Sequence, residues 1–165
     1  EIGSVGNTGL NSDFLLHIIS DIARMQGVEP HDALRNSKCL SADVNSAVDP
    51  TFQGAFEKRN ASFINKGVVI TKYTGARGKS GSNDAGAEYM AEIRNMLDSA
   101  NIIWQTGELG KVDLGGGGTV AQYIASLGID TVDLGVPVLS MHAPYETVSK
   151  LDVFMTFKAM KEFFK

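Results

Sequence analysis

Apolar residues first recur at helical spacing over Phe14 to Met25, where Leu15, Ile18, Ile19 and Ile22 share one side of a helix. Ser12 or Asp13 is placed to cap its start, and Gly27 to close its end. The period then changes. Ser37 to Val44 and Asn101 to Gln105 read as short strands, and Gly67 to Tyr73 is a β-branched strand run. The segment from about Thr131 to Ser140 is a longer apolar run of the kind buried inside a parallel sheet. Helices are predicted from Asp84 through Tyr89, Ile93 and Met96 to about Ser99, over Thr119 to Leu127 before Gly128, and over roughly Glu146 to Phe164. In that last helix Val153, Phe154, Phe157, Met160 and Phe164 are assigned to core packing. Residues 49–66 read as a surface loop with a helical turn, and 74–83 as a glycine- and serine-rich loop. Strand and helix alternate with no hairpin dipeptide, which predicts an α/β fold: a mostly parallel sheet sandwiched by helices. No repeat or linker divides the chain, so one domain is expected.

Composition narrows the function classes. The 165 residues suffice for one core, and 43% hydrophobic with 21% charged content is that of a water-soluble globular chain. A formal charge of −4 speaks against a nucleic-acid or anionic-membrane surface. The lone cysteine, Cys39, excludes an internal disulfide and fits a reducing cytoplasm. No apolar run reaches the roughly 20 residues of a membrane span, and no signal peptide is visible. The opening Glu1-Ile2-Gly3-Ser4, without an initiator Met, reads as the middle of a longer protein.

Candidate chemistry sits at strand ends, where open α/β sheets place their ligands. His142 follows the buried run directly and precedes Pro144; Asp43 follows Lys38-Cys39-Leu40-Ser41-Ala42. Both are metal-ligand types, although an aspartate there also suits a turn. The other histidines read as bland: His17 on a helix surface, His31 solvated in a turn. Gly115-Gly116-Gly117-Gly118-Thr119 admits two readings, close approach of backbone to a ligand or a tight strand-to-helix turn. Gly78-Lys79-Ser80 mimics the end of a phosphate-binding loop, but Tyr73 stands where that loop requires its first glycine.

Taken together these segments resemble the aspartyl aminopeptidase and aminopeptidase I family of two-zinc metallopeptidases. Glu1-Ile2-Gly3-Ser4 is similar to the second half of the family's Glu-Glu-[Val/Ile]-Gly-Ser motif. Ser41-Ala42-Asp43, Lys66-Gly67-Val68-Val69-Ile70 and Ser140-Met141-His142 resemble three further family segments, in the right order along nearly the whole chain. The resemblance implies that residues 1–165 form the C-terminal portion of the catalytic domain. It implies that Glu1 and His142 share one zinc and Asp43 binds the other, with Co or Mn as alternatives to Zn. The implied reaction is hydrolytic removal of N-terminal residues from peptides, with the general base immediately upstream of Glu1 and no catalytic residue in this chain. Alone, the chain is then expected to be inactive.

The same resemblance implies that Gly116, Gly117, Thr71 and Met141 contact substrate, and that the protein is a large homo-oligomer, a dodecamer built from dimers. Two departures bear on specificity. Relatives that prefer acidic residues carry Lys where this chain has Thr71, and His where it has Ser46; Lys72, one position on, points to the opposite face. Broad or neutral-residue specificity is expected. The competing reading is a non-catalytic α/β binding or assembly module that retains the peptidase fold.

Overall fold

The computed structural model describes residues 4–77, 80–111 and 113–165. In chain order the elements are α1 (Phe14–Met25), α2 (Pro30–Arg35), β1 (Lys38–Ser41), β2 (Asn45–Ser46), a 3₁₀ turn (Gln53–Ala55), β3 (Val68–Thr71) and β4 (Gly75–Ala76). There follow α3 (Ala87–Ser99), β5 (Trp104–Thr106), β6 (Gly116–Gly117), α4 (Ala121–Ala125), β7 (Asp130–Gly135), β8 (Pro137–Leu139), β9 (Thr147–Val148) and α5 (Lys150–Phe163).

The central sheet has the order β1-β7-β3-β5. β1 pairs with β7 and β3 with β5 in parallel, while the inner β7–β3 pair is antiparallel. Alternation splits the sheet into two faces. Val68 and Ile70 of β3 and Val132 and Leu134 of β7 join Tyr89, Ile93 and Leu97 of α3 and Met155 and Ala159 of α5 in one buried core. Each buried Val, Ile, Leu or Met among them contributes about 1.5–3 kcal/mol. The opposite face carries α4, which packs on β7. The expected mostly parallel, helix-covered sheet is the observed one.

Local chemistry explains the boundaries. Ser12 accepts from the Phe14 amide at the start of α1, and Val28 N–H to Ala23 O with Gly27 N–H to Arg24 O closes its end around a left-handed Gly27. The expected single strand over 131–140 is instead two. β7 belongs to the central sheet, whereas β8 pairs with β2 and β9 in a second sheet, because the chain changes partners at Val136. Asp84 does not start a helix: it pairs with Lys72, and α3 begins at Ala87. Thr147 and Val148 form β9, so α5 starts later than expected. His31 lies on α2 rather than in a turn, exposed as expected; the helix is six residues opened by Pro30, too short to show a period.

One packing expectation is corrected. Val153, Phe154, Phe157 and Phe164 are exposed, and the buried face of α5 is Asp152, Met155 and Ala159. The i, i+3, i+7 spacing of those three places them together toward the sheet; hydrophobicity alone pointed to the wrong side of the helix.

Candidate metal and substrate site

Asp43 lies just before β2 and His142 just after β8, the strand that pairs with β2. The backbone leaves β1 at Ser41, passes Asp43 and enters β2, which pairs in parallel with β8 so that Asn45 lies opposite Pro137. Two positions further back, Asp43 crosses directly over Gly135: a Cβ on that glycine would come within 1.4 Å of the Asp43 carbonyl oxygen. Only a glycine admits this crossing. The Asp43 side chain is exposed and accepts from the Val44 amide at 2.8 Å.

β8 then runs into Ser140-Met141-His142. Ser140 and His142 both adopt left-handed backbone, at φ 57° and 66°. Two non-glycine residues there cost conformational energy of order 1–3 kcal/mol each, and such outliers cluster at functional sites. The exposed His142 is held by its amide, which donates to Glu146 Oε1 at 2.6 Å.

Successive residues of the glycine run line two cavities. Asp43, Ala42, Ser4, Gly118 and Thr119 line one of about 420 Å³. His142, Met141, Ser46, Phe56, Gly116 and Gly117 are among those lining another of about 320 Å³. Gly117 lines the His142 cavity and the next residue, Gly118, lines the Asp43 cavity. Of the four expected substrate contacts, Gly116, Gly117 and Met141 thus share a cavity with His142. Thr71 does not reach it: it is 4% exposed, and its hydroxyl accepts from Asn45 Nδ2 at 2.9 Å. Lys72 is on the opposite side, exposed, as alternation requires.

The glycine run itself proves to be partly structural. Gly116 has φ 94°, and a Cβ there would meet the Gly75 carbonyl oxygen at 2.3 Å, because β6 pairs with β4 at this point. Gly117 has open space where a Cβ would go. Gly78 and Lys79 lie outside the described residues, as does Glu1.

Sequence reasoning missed Asp133, although an acidic residue inside Val132-Asp133-Leu134 was a signal. It is 4% exposed and stands in register between Ser41 of β1 and Thr71 of β3, a buried polar row across the face opposite the main core. Burial pushes its carboxyl up to about 6, against the pull of Ser41 and Thr119, and the charge of nearby Asp43 adds to the rise. Thr119 Oγ1 donates to Asp133 Oδ2 at 3.0 Å. Ser41 Oγ sits beside the carboxylate but misses hydrogen-bond geometry, and Asp133 Oδ1 has no partner among the described residues.

Carboxylate and imidazole are donors that zinc accepts, and the exposed Asp43 and His142 fit that role chemically. No group of three His, Cys, Asp or Glu side chains placed to hold an ion is found among the described residues. No helix among them is long and apolar enough to cross a membrane.

Comparison with known proteins places this arrangement in a class. The family model for aminopeptidase I zinc metalloprotease (M18) matches residues 1–164. The chain belongs to that family. A probable M18 family aminopeptidase 1 from Clostridium acetobutylicum is 48% identical over 160 residues, covering 94% of this chain and 34% of that protein. Aspartyl aminopeptidase 4 of Saccharomyces cerevisiae is 30% identical over 177 residues, covering 100% of this chain and 35% of that protein. The crystal structure of an M18 aminopeptidase from Thermotoga maritima superposes with a TM-score of 0.94 at 42% identity, covering 99% of this chain and 38% of that one. The chain thus spans about a third of the length of the relatives it matches.

Proposed function

We propose that this chain serves a zinc-dependent aminopeptidase that removes N-terminal residues from peptides, with Glu1, Asp43 and His142 as ligands of a two-metal centre. The observation carrying the proposal is that Asp43 and His142 each line a cavity, and that successive residues of one glycine run line both: Gly115–Gly117 the His142 cavity, Gly118 and Thr119 the Asp43 cavity. Ser4 lines the Asp43 cavity, which brings the chain three residues after Glu1 beside the same site. A bound pair of ions supplies a nucleophilic water and polarises the scissile carbonyl. This chain's residues hold and shape: Asp43 and His142 offer donors, and the glycine wall lets a peptide backbone approach closely. The general base lies outside these 165 residues, so the isolated chain is inactive, and the active protein is a homo-oligomer.

The substrate side is neutral in character. Phe56, Leu109, Met141 and the glycines dominate the His142 cavity, with Ser46 where acid-selective relatives have a histidine. No Lys or Arg lines it among the described residues. Asp43→Ala and His142→Ala in the full-length protein test the assignment. Each is expected to lower bound zinc and to cut aminopeptidase turnover by at least about 100-fold, the upper range for losing a mere supporting residue. Undiminished zinc and turnover in both variants would refute it.

A further inference from the structure

The carboxylate of Asp133 is committed to a task that the ligand assignment leaves unexplained. It is buried on β7, and its one hydrogen bond among the described residues comes from Thr119, the residue that ends the glycine run and lines the Asp43 cavity. Because the Thr119 hydroxyl gives its proton to Asp133, the 3.5 Å contact between Thr74 Oγ1 and Thr119 Oγ1 must have Thr74 as donor. Thr74 in turn accepts from the Asn83 amide at 3.4 Å, and Asn83 Nδ2 donates to the Thr131 carbonyl at 3.0 Å. The chain of bonds therefore starts and finishes on β7, and clips to it both the glycine run and the two ends of the 74–83 segment.

We propose that Asp133 is a positioning residue that, through the Thr119 hydroxyl, fixes the Gly115–Thr119 run, which lines the His142 cavity with its first three residues and the Asp43 cavity with its last two, and thereby sets how substrate fits. The inference rests on the aminopeptidase reading for its functional half only. Asp133 is not a ligand in this scheme; it orders a wall made of residues with no side chains of their own to anchor them. Glycine backbone has the most freedom to lose, so an external anchor has the largest effect there.

The test compares Thr119→Val, Thr119→Ser and Asp133→Ala in the full-length protein, with the double variant Thr119→Val/Asp133→Ala. Thr119→Val and Asp133→Ala should each raise KM for an aminoacyl nitroanilide about tenfold, with kcat within about threefold and zinc content unchanged. Thr119→Ser, which keeps the hydroxyl, should behave as wild type, and the double variant should be no worse than the poorer single. Amide hydrogen exchange over 115–119 should accelerate about tenfold in the two disruptive variants and not in Thr119→Ser. A normal KM in Thr119→Val, multiplying effects in the double variant, or zinc loss confined to Asp133→Ala would overturn the proposal. If Asp133→Ala does not fold, the Thr119 pair decides. If the wild-type protein has no aminopeptidase activity, that failure belongs to the functional reading; unchanged exchange over 115–119 would then still overturn the anchoring role, and accelerated exchange would sustain it.

Discussion

At Gly135 a missing methyl group decides where a candidate ligand stands. The Asp43 carbonyl occupies the space a Cβ would need, so any side chain there must push the 41–45 segment off β7. Gly135→Ala in the full-length protein is therefore expected to lower zinc content although it removes no donor atom. Gly117→Ala, whose Cβ meets open space, serves as the control and should bind zinc normally. The glycine run separates in the same manner. Gly116→Ala, forced into left-handed backbone and against the Gly75 carbonyl, should cost about 1–3 kcal/mol, whereas Gly117→Ala should stay within about 0.5 kcal/mol. Urea midpoints check both, and equal losses would show that the run's backbone is not the constraint.

Among the elements, the α5 N-terminus shows how one buried carboxylate locks two segments together. Ser149 accepts from the Leu151 amide, and Asp152, fully buried in the first turn, accepts from the Asn65 and Gly67 amides at 2.7 Å each. Those bonds pin the turn that feeds β3. Asp152→Ala should cost about 2–4 kcal/mol, since it strands two backbone donors at once; a smaller shift in the urea midpoint than about 1 kcal/mol would mean that water replaces the carboxylate. This element also marks how far sequence could reach. α1 was legible because period and caps agreed, as in its Gly27 closure, whereas α3 and β3 were legible from their apolar pattern alone, with the start of α3 misplaced at Asp84. The division of 130–139 into two strands was not, because it depends on Asp43 crossing Gly135, a contact between residues 92 apart in number. Asp43 and His142 could be named from strand ends and a family likeness. Asp133 stood out only as an acid inside an apolar run; its role depends on partners on β1, β3 and the Thr119 turn that only tertiary structure supplies. The exposed aromatics of α5 were misassigned for a related reason: hydrophobicity gives a residue's preference, and the sheet decides which face is covered.

For the molecule as a whole, exposed apolar side chains include four on α1 (Phe14, Ile18, Ile22, Met25) and four on α5 (Leu151, Val153, Phe154, Phe157), with Phe164 just past its end. Such surface suits burial against further protein, in keeping with the proposed oligomer. Specificity is also a property at this scale, because it depends on which charges reach the cavity. With Thr71 buried against Asn45 and Lys72 turned toward Asp84, neither presents a cation to the His142 cavity, and no Lys or Arg among the described residues lines it. The full-length protein should turn over a Leu nitroanilide faster than an Asp nitroanilide; a strong preference for Asp would refute the neutral-pocket reading. Anomalous diffraction at the zinc edge from crystals of the full-length, zinc-loaded protein bears most directly on the metal centre itself. Two peaks are expected about 3.5–4 Å apart, one about 2.0–2.2 Å from an Asp43 carboxylate oxygen and the other at that distance from a His142 ring nitrogen. Zinc bound elsewhere, with Asp43 and His142 both outside its coordination sphere, would end the peptidase assignment of these residues.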